Sequence, residues 1–390
     1  MALDHEAIRK AYPDAVTIDD GTGAFDKDGK SITLKQSEID AARTTIDSDY
    51  AKVKYKDDRK PLYPQLEDFA DAMYWNSKGD GTATANLTNN LSNRRINVNG
   101  ALNVAQRGTS FTGTSGGKYF ADRYKVGFNT ISAGTCTTSQ QSLTSSDAPY
   151  ALGFRKYGRL ALGQAGTAAG TSFIEVLHKF EGQDINSSGW DHTSSSSNFT
   201  VSFWFRCSTN QTFYVNLRSR DGTSYVYTYS FTASGNNTWT KITKTIPGNS
   251  NVQIDNDNGA GLDCRIWIFA GTDYTASVTL DQWRAYDTAS RVPDMASTWL
   301  TAGASTIDFT GFQFEAGSLV TDFEHKTFNQ ELLLCQRYFI QDFAPQIGTM
   351  YEAWSAPNGK FATFNFPVQM RAAPTVVTTN GVDGVVNSQF

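Results

Sequence analysis

The chain is poor in charge, in histidine and in cysteine. Charged residues make up 19% of its 390 positions and sum to a net charge of −5. No basic field of the kind that settles on phosphate backbones is present, so nucleic acid is not an expected partner. The four cysteines, at 136, 207, 264 and 335, form no C-x-x-C pair. That scatter fits neither a zinc site nor a dense disulfide framework, and it predicts reduced, mostly buried thiols. No stretch approaches the roughly 18 consecutive apolar residues of a membrane span, and the opening MALDHEAIRKAYPDA has no apolar leader core. The expectation is therefore no membrane insertion, a chain made and folded in a cytosol, and bare sequons such as Asn198-Phe-Thr.

What is abundant points to strands. Aromatic residues reach 13%, and Ser, Thr, Gly and Asn crowd the middle of the chain, a mixture suited to short strands joined by tight turns. The length has room for two or three domains, of which three are expected.

Residues 1–80 read differently, as a small α+β head. VTIDDGTGAFDKDGKSITL predicts a hairpin, since β-formers flank turns rich in Asp and Gly. In SEIDAARTTIDSDY, Ile39, Ala42, Ile46 and Tyr50 recur at helical spacing behind a capping Ser37. A second helix is expected after Pro64, with Leu66, Phe69, Ala70, Met73 and Tyr74 as its apolar stripe and Gly79 beyond its end. So thin a core is marginal alone, which predicts that a partner completes the head. Residues 81–95 are small and polar, a linker or a narrow stalk.

Residues 96–325 supply strand after strand: 173–182, 199–208, 211–222, 224–233, 239–248, 262–271, 276–287 and 305–317, each bounded by Gly, Pro, Asn or Asp. In the second, Val201, Phe203, Phe205 and Cys207 alternate with Ser202, Trp204 and Arg206, one apolar face against one mixed face. This many strands without helical interruptions predict a two-sheet jelly-roll sandwich, and no period near 40 suggests a propeller. Residues 326–390 predict a helix carrying Phe328, Leu332, Cys335 and Phe339 on one stripe, followed by strands in GKFATFNFPVQM and APTVVTT.

Several groups invite a chemical reading. Glu324, His325 and Cys335 are too few for a metal site, and the helix phase turns the thiol towards the core and away from a base. A structural joint is the expected reading: Phe323 closes the sandwich, Glu324 or His325 caps the helix, and Arg337 pairs with Glu324 or Glu315. Asp255, Asp257 and Asp263 surround Gly259 in IDNDNGAGLD, an oxygen cluster of the kind calcium takes, yet the spacing fails the EF-hand pattern and an Asx-rich turn is the expected reading. Trp190, Tyr225, Tyr227, Tyr229 and Trp239 offer a platform on which sugar rings would stack, or else fill the core. Paired carboxylates across a groove, as glycoside hydrolysis requires, are not apparent, and no catalytic residue or cofactor is assigned.

Read in order, NVNGALNVAQRGTSF (97–111), TVSFWFRCS, TKTIPG, TGFQFEAGSLVTDFEHKTFNQELLLCQRYF and FPVQMRAAPTV resemble a large group of bacteriophage tail-fibre and receptor-binding proteins. Asn99, Gly100, Gln106, Arg107, Gly108, Thr109 and Ser110 match that group's entrance motif. Gly311, Gln313, Glu315, Gly317, Phe323, Glu324, His325, Glu331, Leu332, Cys335, Gln336, Arg337 and Tyr338 match its exit motif, with Phe314 in place of the usual Leu and Lys326 in place of Arg. YPQLEDFADAMYWNSKGD looks like a helix of virion-anchored fibre ends. The resemblance implies a jelly roll like that of carbohydrate-binding modules in a symmetric, most often trimeric, fibre attached by its N-terminus; the expected reading is a homotrimer docked to other tail or virion proteins through residues 1–80 that contacts a host-surface glycan. A purely architectural tail adaptor or head-decoration protein is the alternative, and a polysaccharide depolymerase a further one.

Overall fold

The computed structural model describes residues 3–59, 94–133, 135–342, 366–379 and 383–387. The helix expected after Pro64, with Leu66, Phe69, Met73 and Tyr74, lies outside the described residues, as does nearly all of the expected linker. The chain divides into two compact units, Met1–Thr88 and Asn89–Phe390.

In the first unit, α1 (His5–Ala11) was not foreseen from periodicity. Its signal is a cap: the Asp4 side chain accepts from the Ala7 N–H. The expected hairpin is an antiparallel meander of β1 (Thr17–Asp19), β2 (Gly23–Phe25) and β3 (Ser31–Ile32). Helix α2 (Gln36–Arg59) starts one residue before Ser37, which therefore sits in the first turn and not at the cap. Ile39, Ala42 and Ile46 are buried with Ala7, Ile8, Ala15 and Ala24. Tyr50 departs from that stripe: it is 60% exposed, and its hydroxyl donates to Glu6 at 2.9 Å.

The second unit is a jelly-roll sandwich of antiparallel strands. A six-stranded sheet runs β13 (Thr240–Pro247), β10 (Asn198–Cys207), β16 (Ser305–Ala316), β8 (Lys156–Leu162), β7 (Cys136–Ser142), β4 (Ser110–Thr112). A seven-stranded sheet runs β15 (Trp283–Ala285), β12 (Tyr225–Ser234), β11 (Asn210–Ser219), β14 (Ala260–Ala270), β9 (Gly166–Glu181), β6 (Tyr124–Ala133), β5 (Gly117–Ala121). The alternation read in β10 holds, and Val201, Phe203, Phe205 and Cys207 all enter the core between the sheets. Short helices α3 (Ala148–Ala151), α4 (Gly182–Asn186) and α5 (Thr298–Thr301) bridge strands.

The strand expected over 276–287 contracts to the three residues of β15. The chain around it instead wraps the outer face of the seven-stranded sheet, where Tyr274, Val292 and Met295 cover Trp267 and Phe173. Beyond the sandwich, α6 (Phe328–Gln336) leads into β17 (Phe339–Asp342), which joins β19 (Asp383–Asn387) and β18 (Thr375–Thr379) in a three-stranded sheet. No helix among the described residues is long and apolar enough to cross a membrane.

Candidate functional site

The entrance and exit motifs meet in a buried clasp. The Arg95 N–H donates to Glu324 Oε2 at 2.8 Å, and its guanidinium donates to the Asn97 carbonyl and to the Glu331 carboxylate. Glu331 also accepts from the Asn99 N–H at 2.7 Å, while Asn97 exchanges hydrogen bonds with Phe312 and Phe314 of β16. Gln313 accepts from the Glu324 N–H at 2.8 Å, and His325 Nε2 bonds the Leu152 carbonyl at 2.8 Å. A half-satisfied buried carboxylate would be costly, and Glu331 is matched on both oxygens.

Three details of the expected joint are corrected. Thr327 caps α6 in a capping box with Gln330, so neither Glu324 nor His325 does. Arg337 pairs with Glu181, at 2.7 and 2.6 Å, rather than with Glu324 or Glu315, whose carboxylate is held by Thr321. Phe323 packs on the outside of the six-stranded sheet, edge-on to Phe154 at 4.6 Å, instead of closing the main core. Cys335 is buried as the helix phase requires, and burial holds its thiol well above the usual range.

The acidic candidates do not converge. Asp257 accepts from the Gly259 N–H as an Asx turn, the Asp255 N–H donates to Asp221, and Asp263 is fully buried against Arg265 at 3.2 Å. Among the described residues, no cluster of three or more His, Cys, Asp or Glu side chains is placed to hold a metal ion.

The expected aromatic platform is also overturned. Trp190, Tyr227, Tyr229 and Trp239 are 3, 4, 2 and 8% exposed, and Tyr225 is half-buried against the core. Tyr225, Tyr227 and Tyr229 do share one face of β12, but that face points inward. Strand period fixes which residues share a face and leaves open which way the face looks. Trp239 packs edge-on to Tyr157, and its Nε1 donates to Asp147 at 2.8 Å.

A different aromatic, Trp204, stands on the outer face of the six-stranded sheet, opposite Lys241 on one side and Thr310 on the other. Between Ser202 and Trp204 the register slips, and β16 carries an extra residue at Gly311, whose φ is +63°. A Cβ at Gly311 would stand 2.7 Å from Phe154 and 3.1 Å from Trp204. The bulge thus lets both rings close over the backbone, the use that bulges find beside sites. The result is a cleft of about 270 Å³, floored by Ser202, Trp204, Lys241 and Gly311 and walled by Leu152 and Phe154 on one segment and Thr321, Asp322 and Phe323 on another.

Its walls are braced. Arg206 ties Asp308 of the sheet to Asp147 at the start of α3, with contacts of 2.6 and 2.7 Å, and Arg159 grips both Asp308 oxygens. Against the opposing pull of burial, hydrogen bonds from Thr144 and Trp239 and the nearby Arg206 hold the Asp147 carboxyl below its ordinary range, so it stays charged. An aromatic floor beside a hydroxyl, an ammonium and a carboxylate can stack a sugar ring and bond its hydroxyls. The signal in the sequence was a Trp on the outward phase of a strand whose other phase is wholly apolar.

No protein-family model matches the sequence, and no curated protein matches it. Solved structures similar to the chain include the enzymatically active domain of bacteriophage CBA120 tailspike protein 4, at 8% identity and a TM-score of 0.30, covering 57% of this chain and 22% of that one. TmCBM61 in complex with β-1,4-galactotriose is similar at 8% identity and a TM-score of 0.25, covering 50% of this chain and 88% of that one. The tripod from the baseplate of bacteriophage Tuc2009 is similar at 12% identity and a TM-score of 0.23, covering 43% and 49%. The chain thus spans less than a quarter of the tailspike domain. These scores are too low to carry a functional argument, and the sandwich rests on its own strand pairing.

Proposed function

We propose that this chain is a tail-fibre component of a phage virion, docked to other tail or virion proteins through residues 1–80 and contacting host-surface glycan with its sandwich. The observation that carries this reading is the Trp204 cleft: an aromatic ring held open on the outer sheet face by a bulge, with Ser202, Lys241, Thr321 and Asp322 around it. Copies of the chain, three in a fibre, would multiply a weak contact into firm adhesion by effective concentration. No bond-breaking step belongs to this reading.

Helix α6 supports assembly of copies. It buries Glu331 and Cys335 and leaves Leu333 and Leu334 exposed at 45 and 38% on its other sides, while Phe328, on the Cys335 side at the first turn, is 55% exposed. These exposed apolar side chains also favour a second reading, an architectural part that packs on virion neighbours and touches no host.

Host cells and a sugar array separate the readings. Saturable binding of the purified chain, lost in Trp204→Ala, is the outcome expected of a fibre. Failure to bind, with stoichiometric co-purification on emptied particles, would leave the architectural part. Release of reducing sugar would make it a depolymerase.

A further inference from the structure

The shape of the Trp204 cleft specifies more than a sugar. Its two walls meet: Phe154 and Phe323 stand edge to face at 4.6 Å, the Phe323 and His325 rings lie 4.7 Å apart, and His325 fastens to the Leu152 carbonyl at 2.8 Å. The cleft is therefore shut on the β16 side, where Gly311 and Phe154 close the floor. The other side of Trp204 is Lys241 on β13, the outermost strand of its sheet, and that side is open. A polysaccharide cannot run through such a space. Its volume of about 270 Å³ also falls just below the range of ligand sites, roughly 300–1,000 Å³.

The charges at the rim oppose one another, with one ammonium, Lys241, and one carboxylate, Asp322, both exposed. A uronate or sialate would gain from the first and lose to the second. An uncharged ring meets both as hydrogen-bonding groups, Lys241 donating and Asp322 accepting.

Resting on the glycan reading above, we infer that the cleft takes the terminal ring of a neutral glycan end-on, stacked on Trp204, and does not bind along the interior of a chain. Successive rings then extend past Lys241 into solvent and add little.

The test titrates the full chain with methyl glycosides of glucose, galactose, mannose and glucuronate, and with two-ring and four-ring oligosaccharides of whichever sugar is retained. The expected result is an affinity that changes less than threefold from one ring to four, a loss of tenfold or more in Trp204→Ala, and a loss in the exposed-rim variant Asp322→Ala, which leaves the core untouched. Affinity rising tenfold or more with chain length, or preference for glucuronate over glucose, would overturn end-on neutral capture while keeping the glycan reading. Retention of none of these sugars would remove both.

Discussion

Gly311 concentrates the argument at the scale of one residue. A side chain there must adopt a left-handed backbone and push against Phe154 and Trp204. Gly311→Ala is expected to cost about 2 kcal/mol or more, from backbone strain and overpacking together, and to spread the cleft; thermal unfolding and sugar retention would register both effects. Asp184 makes a second test. Burial, and then the charge of Glu181, push its carboxyl up to about 6 from 3.8. The folded state therefore binds a proton more tightly than the unfolded one, and stability falls as pH rises from about 4 to about 6, with the penalty complete above that. After discounting for solvent screening the effect is about 1–2 kcal/mol. Asp184→Asn should flatten that part of the stability–pH curve, and an unchanged slope would contradict the assignment. The cysteines give a third: all four are free and buried, and burial pushes the Cys136 thiol up to about 12. Iodoacetamide at pH 8 should label none of them in the folded chain and all four in denaturant.

At the scale of elements, α6 is held from its charged side. Removing one partner of its buried ion pair, as in Arg95→Ala, should cost ~3–5 kcal/mol, whereas Thr327→Ala, which removes only the cap, should cost ~1 kcal/mol. Urea midpoints of the two variants would separate clasp from cap. Strands β10 to β14 and β16 were legible because apolar residues alternate along them and turn residues bound them. Strands β4 to β8 were not. In β7, CTTSQQS, the buried positions include Thr138 and Ser139, whose small polar side chains carry no hydrophobic signal. The overcall at 276–287 has another cause: its β-forming residues Val278, Leu280 and Tyr286 lie half-buried outside any strand, and only Trp283–Ala285 pairs, with β12.

For the molecule as a whole, the clasp was legible only in part: Asn99, Glu324 and Glu331 fall in two ordered motifs, but Arg95 fell in the stretch read as a linker, since ion pairs between residues far apart in the chain leave no local pattern. Trp204 was legible as a residue on the mixed face of its strand, whereas nothing in the sequence showed that the face shared by Tyr225, Tyr227 and Tyr229 looks inward. If copies meet through the apolar side of α6, then Leu333→Asp with Leu334→Asp should shift the sedimenting species from trimer to monomer with an unchanged circular dichroism spectrum; a trimer that persists would place the contact elsewhere. The clasp also sets a load path. Tension arriving from the N-terminal side enters at Arg95, and one step across its hydrogen bond to Glu324 reaches Phe323, a wall of the cleft. If the proposed anchoring and glycan contact hold, a pull between them would run along this short route, sparing the strands of the sandwich from being peeled apart.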